Sequence, residues 1–121
     1  MDSEVDVTFF VPCYNEEANV VRTFKNIISA ANEVSVSYEI LVVDDKSLDN
    51  TIRVIEEYIK IYTDIPIVLL KNHTNMGLGR NYIDGAYIGK GKHYMLVNGD
   101  TAEPQETIVA ILKKLNQADM I

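Results

Sequence analysis

At 121 residues, 47% apolar and 24% charged, the chain has the length and composition of one soluble globular domain. A formal charge of -7, from 18 Asp and Glu against 11 Lys and Arg, excludes general nucleic-acid binding, which needs clustered cations on phosphates. The single cysteine, Cys13, excludes an internal disulfide, the start Met1-Asp2-Ser3-Glu4 is acidic where a signal peptide is basic, and no run approaches the ~18 apolar residues of a membrane span, so a cytoplasmic domain is expected.

Val7 to Val11 form a first apolar run, which Pro12 is expected to stop. Asn15-Glu16-Glu17 reads as a cap residue and two acids in a first helical turn, where the helix dipole favours them. Val20 or Val21, Phe24, Ile27 or Ile28 and Ala31 recur at helical spacing, which predicts an amphipathic helix over about 16–32. Tyr38 to Val43 form a second strand ending on Asp44-Asp45. Asp49 or Ser47 is placed to cap a second helix, whose buried stripe is Ile52, Ile55, Ile59 and Tyr62. Pro66 to Leu70 give a third strand.

The polar segment from Asn72 to Arg80 carries Gly77 and Gly79, as in a loop feeding a helix from Leu78 to Ile88. Gly89-Lys90-Gly91 closes that helix, glycine being the usual residue just past a C-terminus. Tyr94 to Val97 are apolar without alternation, as in a strand buried on both faces, and the run ends on Asn98-Gly99-Asp100. Pro104 opens a last helix with the face Ile108, Ile111, Leu112 and Leu115. Asp119-Met120-Ile121 reads as the opening of a fifth strand, the pattern of a fragment. Alternating strands and helices with buried strands predict an α/β fold, a mainly parallel sheet in a three-layer α/β/α arrangement.

Polar groups follow three of these strands: Pro12 to Glu16, Asp44-Asp45, and Asn98 to Asp100. Parallel strands would bring all three to the carboxyl edge of the sheet, where ligands bind in open α/β folds. Acids converging there raise one another's pKa values unless a cation or donor groups intervene. A divalent cation, Mg²⁺ or Mn²⁺, with a diphosphate would meet that need through hard oxygen ligands. Arg80, beside two glycines at a helix N-terminus, is placed to reach a phosphate or to order the acidic loops.

Other residues read as structural. His73 and His93 lack metal-ligand spacing, and Cys13 has no identifiable partner for nucleophilic chemistry. Lys90, Lys92, Lys113 and Lys114 read as solvated surface. Asp44-Asp45 taken alone would be loop and cap residues, and Tyr14 stands open between packing and base stacking.

Four motifs change that balance. Val11-Pro-Cys-Tyr-Asn-Glu-Glu17, Leu41-Val-Val-Asp-Asp-Lys-Ser47 with Asp49 and Thr51, Asn75-Met-Gly-Leu-Gly-Arg-Asn81, and Asn98-Gly-Asp100 resemble in order and spacing the family 2 glycosyltransferases. The resemblance runs from Val7 to Ile121, and Gly77, Gly79 and Pro104 are most similar to the polyprenyl- and dolichyl-phosphate sugar transferases. It implies the GT-A fold, a UDP- or GDP-sugar donor and an inverting displacement at the anomeric carbon, onto a lipid phosphate or a polysaccharide. Carried over by position, Pro12, Tyr14 and Glu16 would line the nucleoside pocket, Asp44 would bond the base, and Arg80 would border base and phosphates. Asn98 would accept a ribose hydrogen bond, and Asp100 would ligate the metal that stabilises the leaving diphosphate. Asp45 and Lys46 are second choices.

Two departures bear on the metal. Asn98 stands where the family's motif has an aspartate, and Ala102 stands where the polyprenyl-phosphate enzymes often have a metal-ligating glutamine. The catalytic base and acceptor-binding half are expected beyond Ile121. Residues 1–121 are therefore expected to be a single domain, the N-terminal donor-binding part of a longer GT-A domain, inactive alone. It is expected to self-associate through uncovered apolar surface and to act in the cytoplasm or at the cytoplasmic face of a membrane. One alternative is a non-catalytic nucleotide-sugar-binding module or partner subunit, which Asn98 favours. Another is a receiver-like signalling domain, although receivers carry their paired acids after the first strand and here the pair follows the second.

Overall fold

The computed structural model describes residues 5–98 and 104–119. Strands and helices alternate as β1 (Val7–Cys13), α1 (Val20–Val34), β2 (Tyr38–Asp44), α2 (Thr51–Ile61), β3 (Ile67–Lys71), α3 (Leu78–Ile88), β4 (His93–Leu96) and α4 (Gln105–Asp119). The sheet order is β3-β2-β1-β4 and every pairing in it is parallel, including that of β1 with β4. The chain ends of β1, β2 and β4 therefore share one edge, as the alternating pattern predicts.

β1 is apolar along its length because both of its faces are covered. Phe9, Val11 and Cys13 face a core shared with Phe24 and Ile27 of α1, Ile55 and Tyr58 of α2, and Ile108, Val109 and Leu112 of α4. Phe10 faces the other way, onto Leu41 and Val43 of β2, beneath α3. Phe9, Phe10 and Phe24 are all fully buried, each contributing about 1.5–3 kcal/mol through the apolar area removed from water. The fold is thus three-layered, with α1, α2 and α4 on one side and α3 on the other.

Several elements differ from the expectation. β1 runs through Pro12 to Cys13. The Asp45 N–H donates to the Cys13 carbonyl and the Val97 N–H to the Phe10 carbonyl, so alternate residues of β1 face β2 and β4. Pro12 falls on the β4 side, beyond Leu96 where that ladder ends, and its missing N–H costs no bond. α1 begins at Val20, not near 16, because Asn15 adopts a left-handed φ of 56° and its side chain is engaged by a neighbouring loop. Glu16 and Glu17 consequently belong to a loop rather than a first helical turn.

The buried stripe of α2 is Thr51, Ile55 and Tyr58, and Tyr62 lies past the helix end and is exposed. In α4, Val109 takes the buried place expected of Ile111, which is exposed. The run from Tyr94 to Val97 is covered unevenly: Met95 and Val97 are buried in the core beneath α1, α2 and α4, while Tyr94 and Leu96 are only partly buried on the other face. Asp119 belongs to α4 rather than to a fifth strand, and Met120 and Ile121 lie outside the described residues.

α3 spans Leu78–Ile88 as the loop and glycine pattern predicts, but Gly89 serves it differently. Its φ of -63° is ordinary, so no left-handed turn ends the helix there. A Cβ at Gly89 would lie 2.9 Å from Thr8 Oγ1, so space rather than conformation requires glycine. Gly85 is similar: a Cβ there would overlap the Tyr94 hydroxyl and approach Phe10 Cδ1 to 3.0 Å. Gly85→Ala is therefore expected to destabilise the fold by about 1–3 kcal/mol, as overpacking does. Gly79→Ala, which meets nothing within 4 Å, is expected to stabilise it by up to about 1 kcal/mol through helix propensity. Urea unfolding of both variants checks the contrast, and equal midpoints would contradict the close packing of α3.

Candidate functional site

A cavity of about 200 Å³ opens at the carboxyl edge of the sheet. Pro12, Cys13, Tyr14 and Glu16 reach it from the end of β1, Asp45 from β2, Leu78 and Asn81 from α3, and Asn98 from the segment after β4. Four of the residues expected at a nucleoside, Pro12, Tyr14, Glu16 and Asn98, are thus brought together.

Their positions are set by the adjacent loop. The N–H groups of Asn15, Glu16 and Glu17 donate to Ser47 Oγ at 2.9 Å, Thr51 Oγ1 at 2.9 Å and Asp49 Oδ2 at 3.3 Å. In return the N–H groups of Leu48 and Asn50 donate to Asn15 Oδ1 at 2.8 Å and Glu17 Oε1 at 3.2 Å. Thr51, fully buried, joins both sides, since its hydroxyl also donates to Asp49 Oδ1 at 2.5 Å. Asp49 takes the Thr51 N–H at 2.9 Å, although the N-cap position of α2 is Asn50, whose side chain makes no cap bond. Burial opposes its charge, but the Thr51 hydroxyl and N–H and the Glu17 N–H outweigh it and lower its pKa.

The paired acids divide otherwise than expected. Asp44, assigned to the base, is fully buried and both of its oxygens are used by Ser47, through the N–H at 2.9 Å and the hydroxyl at 2.5 Å. It does not line the cavity. Asp45 does, and its Oδ1 accepts from Met76 N–H at 2.7 Å and Asn72 Nδ2 at 3.0 Å. Its Oδ2 accepts from Gly77 N–H at 3.1 Å, and Asn81, bonded to Asn72, helps to lower the pKa of this carboxylate. Burial works against the charge of Asp45, yet these donors together hold its carboxyl at about 2. Lys46 is exposed, with a left-handed φ of 64°.

Arg80 stands apart from the cavity. Its Nε donates to Asp84 Oδ2 at 3.0 Å, one helical turn on, and the side chain is 60% exposed. It lines no part of the cavity, and the ordering of the acidic loops falls instead to Asn72, Asn81 and backbone N–H groups. Asn72 and Asn81 were not singled out in the sequence, although Asn81 directly follows Arg80 within the third motif. Cys13 is buried, and burial, then the charges of Asp44, Glu16 and Asp49, push its thiol well above the usual range.

Asp100 and Ala102 lie outside the described residues. Among the described residues no group of three or more His, Cys, Asp or Glu is arranged to hold a metal ion. With the oxygens of Asp45 already on donors, the described part of the site does not form a metal centre by itself. No described helix is long and apolar enough to cross a membrane.

The profile of the family described as glycosyl transferase family 2 matches residues 8–121. The chain belongs to glycosyltransferase family 2. It is 33% identical over 101 residues to a dolichyl-phosphate beta-glucosyltransferase of Dictyostelium discoideum, an overlap covering 79% of this chain and 31% of that protein. Its backbone matches S. aureus TarS 1-349 in complex with UDP-GlcNAc with a TM-score of 0.75 at 21% identity, over 93% of this chain and 32% of the other. It matches the mannosyltransferase PcManGT of Pyrobaculum calidifontis, in complex with GDP-Man and Mn²⁺, with a TM-score of 0.72 at 21% identity, over 81% and 28%. These likenesses establish the GT-A fold for this family 2 member. The chain spans about a third of the length of each of these proteins.

Two substitutions check the geometry. Thr51→Val removes the acceptor of the Glu16 N–H from a buried position and is expected to cost about 1–3 kcal/mol in urea unfolding. Asp45, with a folded pKa of about 2 against 3.8 unperturbed, contributes stability that is complete above pH 3.8 and is lost as pH falls towards 2. The stability difference between the wild type and Asp45→Asn is therefore expected to shrink across that window, and a constant difference would contradict the bonding described.

Proposed function

We propose that this chain is the donor-binding part of an inverting glycosyltransferase, holding a nucleoside-diphosphate sugar at the carboxyl edge of its sheet. The observation that carries this reading is the convergence of Tyr14, Glu16, Asp45 and Asn98 from three strand ends on one cavity. Tyr14, nearly half exposed, offers a ring on which a base can stack. The Glu16 carboxylate and the Asn98 amide offer acceptors for ribose hydroxyl groups, and Asp45, rather than Asp44, carries the carboxylate at the cavity wall.

The UDP-GlcNAc bound by TarS and the GDP-Man bound by PcManGT support a UDP- or GDP-sugar as donor. The dolichyl-phosphate relative supports a lipid phosphate as acceptor, which would place the protein at the cytoplasmic face of a membrane. In this reading residues 1–121 form one domain belonging to a longer GT-A unit, whose remainder supplies the base that takes the acceptor's proton. Mn²⁺ accompanies the donor in PcManGT, and Asp100 is the residue assigned to such an ion here. A second reading, a nucleotide-sugar-binding module without catalysis, is favoured by the neutral Asn98 at the cavity.

Calorimetric titration with UDP, GDP, CDP and dTDP, each with and without Mn²⁺, tests both. One nucleotide is expected to bind saturably, more tightly with Mn²⁺, and Tyr14→Ala is expected to weaken it about 10-fold or more through lost stacking. Metal-independent binding that Asp100→Ala leaves unchanged would favour the second reading. No binding of any of the four would overturn both.

A further inference from the structure

α3 is held to the sheet in an unusual way. Its fully buried residues are Asn81 and Gly85, an amide and a residue without a side chain. Leu78, Ile83, Tyr87 and Ile88 of the same helix are exposed, and its apolar contact with the sheet is made by Tyr82 and Gly85 against Phe10 and Tyr94. An asparagine inside a helix is a poor helix former, and a buried amide costs free energy unless it is bonded. Asn81 is 4% exposed and its Oδ1 accepts from Asn72 Nδ2 at 2.8 Å, which ties it to the Asp45 carboxylate that Asn72 also bonds.

Asn72 closes the circuit. The same Nδ2 group that reaches Asn81 donates to Asp45 Oδ1 at 3.0 Å, while the Asn72 backbone N–H donates to the Asp44 carbonyl at 2.9 Å. Three donors converge on the Asp45 carboxylate, from Met76, Gly77 and Asn72, and Asn81 is tied to it through Asn72. Two of these donors are backbone groups of the loop leading into α3, and the third is the Asn72 amide, whose other hydrogen bonds Asn81. The end of β2, the 72–77 loop and the start of α3 therefore meet on one side-chain network, and Asp45 and Asn81 of that network also line the cavity.

We propose that Asn72 and Asn81 are positioning residues of the cavity, fixing the Asp45 carboxylate and docking the first turns of α3 so that this wall stands ready before a ligand arrives. The inference rests on the nucleotide-binding reading only for the identity of the ligand. An anion held by donors that are already oriented pays little reorganisation cost when the ligand binds.

The test uses Asn72→Ala, Asn72→Asp and Asn81→Ala, with Asn32→Ala, an exposed residue of α1, as control. Carbon-detected NMR follows the titration of the Asp45 carboxyl, amide exchange follows residues 72–77, and calorimetry follows the nucleotide that the wild type binds. The Asp45 midpoint is expected to rise towards 3.8 in both alanine variants and further in Asn72→Asp, where a second carboxylate faces it. Exchange in the loop is expected to quicken about 10-fold or more, and nucleotide affinity to fall about 10-fold, the size of one lost charge-assisted hydrogen bond. The control is expected to change none of these. An unmoved Asp45 titration with unchanged loop exchange overturns the inference, and so does unchanged affinity in variants whose titration has moved. Should Asn81→Ala fail to fold, the two loop variants at Asn72 decide by themselves. Should the wild type bind no nucleotide, the functional reading falls, while titration and exchange still decide the positioning role.

Discussion

β1 and β2 run parallel and in register, so that Cys13 and Asp44 end level with one another. Two loops leave the sheet side by side at that point, each with backbone N–H groups that no strand or helix satisfies. Those groups find their acceptors across the gap, in Ser47, Asp49 and Thr51 on one side and Asn15 and Glu17 on the other. The positions of Tyr14 and Glu16 at the cavity depend on this mutual satisfaction. Short polar side chains serve it well, because Ser, Thr, Asn and Asp reach backbone groups a few ångströms away without needing depth.

The same logic governs the charges. Acids gathered at one sheet edge repel each other and must be answered by cations or by hydrogen-bond donors. For Asp44, Asp45 and Asp49 the answer is donors: Ser47 for the first, loop N–H groups and the Asn72 amide for the second, and Thr51 with Glu17 for the third. Protein dipoles thus hold these carboxylates, and Glu16 is likewise met by the Asn19 amide, which donates to its Oε1 at 3.3 Å.

The fold was legible because apolar runs and helical spacing are properties of whole segments. The limits of α3, the parallel order and the shared edge all follow from such patterns. Local pattern is less telling where one side chain chooses between two partners. Asp44 and Asp45 are adjacent and chemically identical, and only the turn at Ser47 decides which is sealed in and which faces the cavity. Asn15 carries the residue type of a helix cap, yet the neighbouring loop claims its oxygen. Arg80 has the charge for a phosphate, but its place on the helix turns it towards Asp84. Asn72 and Asn81 lie nine positions apart, and no local pattern announces that their amides meet.

Cys13 is the chain's only thiol, buried at the end of β1 on the wall of the cavity and kept protonated by its surroundings. A thiol reagent can react with it only when the edge of the sheet opens and water and base gain access. The protein thus carries its own chemical clock: the rate at which Cys13 is labelled counts how often that edge breathes. Because the thiol stands among the residues that form the cavity, anything lodged there would slow the clock.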